Sequence, residues 1–124
     1  MRQFASALAV VAALAAAAAQ AHHSFAAEFL GDQTATIEGV VTEVWFKNPH
    51  VRYYVEVDAE DGENVTWDVR TSSPTLLVRR GWDESTIVKG DRIRVEGYLG
   101  RDGRKLMSVI RIELPNGDVL DQSY

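Results

Sequence analysis

The chain has 124 residues, a formal net charge of −5 and no cysteine. That excludes disulfides, thiolate metal sites and cysteine nucleophiles. The acidic balance opposes binding to nucleic acid, whose phosphates are met by Lys and Arg, and the length suits one small domain with a modest core.

The first residues have the pattern of an export signal. Arg2 supplies a short positive start, Phe4 to Ala19 is apolar and uncharged, and Ala19-Gln20-Ala21 is a small-x-small cleavage site. The apolar run falls short of the about 20 residues that a membrane span needs. The expectation is a signal peptide over residues 1–21, removed to leave an exported, periplasmic protein with no later segment apolar enough to span a bilayer. Residues 22–33 read as a polar amino-terminal arm, with Phe25, Phe29 and Leu30 as its anchors. Its Ala26-Ala27-Glu28-Phe29 window is too short to assign as helix.

From residue 34 to 124 the pattern is that of strands. The first covers 34–46: Ile37, Gly39 and Val41 share one face, then the apolar phase slips to Val44 and Phe46. Such a slip predicts a bulge, with Gly39 at a close backbone approach. Asn48-Pro49-His50 is a turn. "VRYYVEVDA" alternates cleanly, Asp61-Gly62 makes a hairpin, and Val65, Trp67 and Val69 face inward on the third strand. Ser73 caps a short helix with Pro74 at its first position, Leu76, Leu77 and Val78 on its apolar side and Gly81 at its stop. "RIRVEGYL" is the fourth strand, and "GRDGRK" closes a hairpin into the fifth. There Leu106, Ile110, Ile112 and Leu114 share a face, and "PNGD" turns the chain into a short edge segment. Three strands, a helix and two strands give the order of an OB-fold, so the predicted class is an all-β, five-stranded Greek-key barrel with one short helix. The rival arrangement is an open meander with the helix on one face.

The sequence holds no G-x-S-x-G elbow, phosphate-binding glycine loop, His-Glu-x-x-His or calcium loop. Its three histidines are more informative. A cut after Ala21 makes His22 the first residue, which then offers an amine and an imidazole to one metal ion. A second imidazole, from His23 or His50, completes a T-shaped nitrogen set suited to copper. A cut after Ala19 instead puts His22 third, where amine, backbone nitrogens and imidazole form a square-planar site for Cu(II) or Ni(II). Against this stands the bland alternative that the histidines are polar residues on a flexible arm. A separate ligand face is read from Trp45, Asn48, Tyr54, Arg80 and Trp82, on the strands and loops that border the usual OB-fold groove.

"AHHSFAAEF" after an alanine-rich leader, "GVVTEVWFKNPH", "SPTLLVRRGW" and "VKGDRIRVEGY" together resemble an uncharacterised family of small bacterial exported proteins. The resemblance covers nearly all of the chain after the leader. It rests on His-His-Ser-Phe, Asn-Pro-His and Arg-Arg-Gly-Trp, which marks His22, His23, Asn48, Pro49, His50, Arg80, Gly81 and Trp82. It implies a periplasmic OB-like barrel and brings no activity with it. The functional expectation is a binding domain rather than an enzyme. Copper handled through the terminal histidines comes first, a metal-free module for a small molecule, glycan or periplasmic protein second, and a copper-dependent oxidase or oxygenase third.

Overall fold

The structure, a computed structural model, describes residues 24–122. Residues 24–28 form a helical turn, α1. The strands are β1 (Phe29–Trp45), β2 (Arg52–Asp58), β3 (Asn64–Arg70), β4 (Arg92–Gly100), β5 (Leu106–Glu113) and β6 (Val119–Asp121). Helix α2 (Pro74–Arg79) links β3 to β4, and a single 3-10 turn, Arg101–Gly103, links β4 to β5.

Alternation does most of the local work. On β2, Tyr53 and Val55 are fully buried while Arg52, Tyr54 and Glu56 stay partly wet. Neighbouring strands match that phase, so Val41 and Val69, paired with Val55 and Tyr53, point into the same interior. The sheet order is β3-β2-β1-β4-β5-β6, and a parallel pairing of Asp68–Arg70 with Leu106–Ser108 joins β3 to β5. This closes five strands into the ring of an OB-fold, with β6 added outside it. The open meander is thereby excluded.

Closure depends on β1 serving two neighbours. Its first half pairs with β4 and its second with β2, and Val40 pairs with Arg92 on one side and Glu56 on the other. Gly39 sits at this crossing, where a side-chain carbon would run into the backbone carbonyl of Glu56. The predicted slip is present as a bulge between Val41 and Glu43, after which Val44 and Phe46 pack against the core.

Helix α2 plugs one part of the core. Ser73 Oγ accepts from the Leu76 N–H at 3.4 Å, Pro74 opens the helix, and Gly81 turns the chain out of it with φ of 84°. Only Leu77 of the three apolar residues is buried; Leu76 and Val78 are exposed. Successive helical positions lie about 100° apart, so a single short turn cannot bury three in a row.

Two further expectations are corrected. β1 begins at Phe29, not at residue 34, because Phe29 pairs with Gly100 before a break that ends at Thr34–Tyr98. The expected arm of residues 22–33 is therefore, over its described part, α1 followed by the first residues of β1. Gly31, Asp32 and Gln33 carry no apolar alternation, so only pairing reveals the strand. On β5 the core residues are Met107 and Val109, then Ile112, followed by Leu114 just past the strand's end, with a register shift opposite Glu96 and Gly97. Leu106 is buried outside that core cluster, against Gly100, and Ile110 is half-buried. In "LMSVIRIEL" both alternation phases are apolar, so the sequence alone does not choose between them.

Candidate functional site

The β1–β2 loop carries His50. Pairing fixes the chain on either side of it: Val51 N–H donates to Ser72 O at 3.0 Å, and Thr71 N–H donates to Val51 O at 2.9 Å. Thr71 is buried, and its Oγ1 also donates to Val51 O, at 3.0 Å. On this rigid frame the Thr71 carbonyl lies 2.9 Å from His50 Nδ1. A carbonyl can only accept, so Nδ1 carries the proton, and the neutral ring keeps its lone pair on Nε2. His50 is exposed as a whole residue.

His22 and His23 lie outside the described residues, as does the whole expected signal segment 1–21. Immediately after them, α1 is fastened to the barrel. Arg101 Nε donates to Ala26 O at 2.6 Å, and an Arg104 amino group donates to Glu28 O at 3.2 Å. Both satisfy carbonyls that a short helix leaves without partners. Arg70 pairs with the Glu28 carboxylate at 2.8 Å. Phe25 stacks on Phe29, ring centres 5.2 Å apart, and meets Tyr98 edge-on at 5.6 Å. No sequence pattern assigns a partner to Arg70, Arg101, Arg104 or Glu28, because a single charge on a turn or strand face does not mark what it meets. "GRDGRK" was the nearest signal, since it places two arginines in one tight hairpin.

The ligand-face residues separate into three groups. Trp45 and Tyr54 come together on the outer side of β1 and β2: Trp45 pairs with Arg52, and Glu43 pairs with Tyr54. Trp45 is 44% exposed, donates from Nε1 to Glu43 Oε1 at 2.6 Å, and has Lys47 Nζ 4.9 Å from its ring centre. Asn48 is exposed in the loop that follows. Arg80 stands apart, at the end of α2, donating to Asp121 O at 3.0 Å. Trp82 is the correction: it is buried in the core, because Gly81 turns the chain inward and Trp82 N–H returns to Leu77 O at 2.9 Å. It cannot line a surface groove.

Beside Trp45 and Tyr54, on the same face of the sheet, runs a chain of ions. Asp68 Oδ2 accepts from Arg52 at 3.3 Å and from Arg70 Nε at 3.4 Å, and Arg70 continues to Glu28. Elsewhere, a depression of about 290 Å³ is lined by Thr36, Arg94, Glu96, Arg111 and Glu113, an outward charge ladder. Among the described residues no group of three or more His, Asp or Glu is placed to hold a metal ion, and no helix is long and apolar enough to cross a membrane.

The class defined by this architecture is an OB-fold domain with a fastened amino-terminal strap. The chain belongs to the family described as "Family of unknown function (DUF6152)", whose profile matches residues 9–108. No curated protein sequence matches it. Among solved structures it is similar to the mitochondrial single-stranded DNA binding protein Rim1 of S. cerevisiae, at 11% identity and a TM-score of 0.48, over 76% of this chain and 98% of that one.

Proposed function

We propose that the protein is an exported, periplasmic domain that binds and handles copper. In this reading signal cleavage creates His22 as the first residue, which supplies an amine and an imidazole, and His50 or His23 supplies a further imidazole. The observation that supports it is the His50 contact. A metal-binding histidine characteristically gives its other ring N–H to a carbonyl or carboxylate, which fixes the tautomer and aims the ligand nitrogen. His50 Nδ1 has such a partner in Thr71 O, at 2.9 Å, and Nε2 is left to a metal.

The test is a Cu(II) titration of the processed protein, purified from periplasm with its amino terminus free. Its intact mass fixes the cleavage register. The expected result is binding tighter than about 10 μM, weakened at least tenfold in a variant carrying His22→Ala and His50→Ala. Weaker binding, or binding that ignores both substitutions, overturns the reading. Because amine and imidazole must shed protons to bind metal, affinity should also fall as the solution is acidified. Oxygen consumption with a reductant separates an oxidase from a carrier.

A second reading has its own support. The exposed Trp45, braced by Glu43 and Lys47 beside Arg52 and Tyr54, offers a preorganised aromatic surface for a small molecule, glycan or protein with no metal involved. Trp45→Ala would abolish that binding and leave copper affinity unchanged.

A further inference from the structure

The ring closes over only part of β3. Its pairing with β5 covers Asp68, Val69 and Arg70, and β5 is taken up by β6 from Arg111 onward. Among the described residues, the first half of β3, Asn64 to Trp67, has β2 on one side and no strand on the other. Backbone groups of successive strand residues point to alternate sides. Asp68 N–H points to the β5 side, where Lys105 O accepts it at 2.9 Å. By that alternation Thr66 and Asn64 present their N–H and C=O groups on the same side, and both residues are exposed. Val65 and Trp67 share the inward phase and are half-buried. The result is a short free edge with apolar side chains along its inner face. Lys105 ends it, with Nζ 5.1 Å from the Trp67 ring centre.

Charge around this edge is one-sided. Glu56, Asp58, Glu60, Asp61 and Glu63 lie along the β2–β3 hairpin, and no Lys or Arg occurs from Tyr53 to Val69. Among the described residues none of these carboxylates is in an ion pair. We infer that the β3 edge from Asn64 to Trp67 is a docking site for an extended, basic segment of a partner protein, which adds to the sheet as a further strand. Backbone bonds at Thr66 and Asn64 supply the attachment, and the carboxylates select the partner. A segment that alternates apolar residues with Lys or Arg fits both faces. Its apolar residues cover Val65 and Trp67, and its cations face outward, where Glu56 and Asp58 stand beside Thr66 and Asn64. A second copy of the same edge brings further carboxylates to a hairpin without cations, so repulsion opposes self-pairing. Polyanions are excluded on the same ground. The site shares no residue with the copper reading and does not depend on it.

The probe is a synthetic peptide of about six residues, blocked at both ends, that alternates lysine with valine. Of two control peptides, one replaces valine by proline, which keeps the charge and cannot form a ladder, and the other replaces lysine by glutamate. Binding is measured by calorimetry, and the Thr66 amide is followed by hydrogen exchange. The lysine–valine peptide is expected to bind and to slow Thr66 exchange, with both controls weaker by roughly tenfold or more. Thr66→Pro removes the outward N–H and leaves the β2 ladder intact, which an edge position tolerates. Glu60→Lys with Glu63→Lys reverses exposed charge on the hairpin. Each variant is expected to bind the peptide roughly tenfold more weakly, with far-UV circular dichroism unaltered. Should Thr66→Pro misfold, the charge variant and wild-type Thr66 exchange decide the matter. Equal binding of the proline peptide, or binding that leaves Thr66 exchange unchanged, reduces the edge to a charge attraction and overturns the inference. So does a lack of binding at about 1 mM peptide. Sedimentation showing a dimer whose formation protects Thr66 also overturns it, since a second copy then occupies the edge.

Discussion

Tyr53 shows how a single group can be both well packed and unsatisfied. Its side chain is fully buried, yet its hydroxyl has no hydrogen-bond partner in the described structure. Burial disfavours the phenolate and pushes the pKa from 10.0 up to about 12. The unfolded chain thus releases this proton near pH 10, while the folded chain keeps it until about pH 12. The resulting stability is fully present below pH 10 and is lost as pH rises through about 12, a swing of about 2–3 kcal/mol. Tyr53→Phe should be neutral or stabilising at pH 7, within about 1 kcal/mol, because it deletes an unpaired polar atom. Urea melts from pH 9 to 12 should then show the variant losing less stability than the wild type. Equal losses would mean that the hydroxyl is solvated. Trp82 makes the complementary residue-scale case. Trp82→Ala should cost about 3–5 kcal/mol as a core truncation, and the more conservative Trp82→Phe should leave the affinity of any surface ligand unchanged.

At the scale of elements, β1 and α2 each turn on one position. Gly39 lets β1 pass from β4 to β2, and a methyl group there meets the Glu56 carbonyl and Val55 Cγ1. Alanine usually strengthens a strand interior relative to glycine, but Gly39→Ala should destabilise by about 2–4 kcal/mol in equilibrium urea unfolding. A neutral result would mean that β1 has room to shift. In α2, Leu77→Ala should cost about 2–5 kcal/mol, since the side chain is fully buried, while Leu76→Glu should stay within about 0.5 kcal/mol. Thermal melts of the two variants check both the helix register and the plug. The strap behaves differently from either element. Its helical turn is too short to be stable alone, so its order comes from three arginines and a ring cluster distant in sequence.

For the whole molecule, the closed ring makes one cooperative unit the natural expectation, because the β3–β5 pairing closes five strands around a shared core. Tryptophan fluorescence and far-UV circular dichroism should follow coincident urea transitions. Separated midpoints would show that part of the ring or the α2 plug opens independently. Element order, the bulge in β1, the role of Gly39, the caps of α2 and the short edge strand were all legible, since each is a local pattern of alternation, turn chemistry or capping. Trp82 was not, since a tryptophan after a helix stop can turn either way. Nor was the β5 face, where both phases are apolar. The strap's arginines were hidden for another reason: a charge shows no periodicity that names a partner some 75 residues away. The sequence by itself determined the class of fold, through period and punctuation that act over a few residues. Only the tertiary structure decided which charges fasten the strap, which rings are interior, and that Thr71 fixes the His50 tautomer. Those outcomes depend on contacts between residues far apart in the chain, which only ring closure brings together.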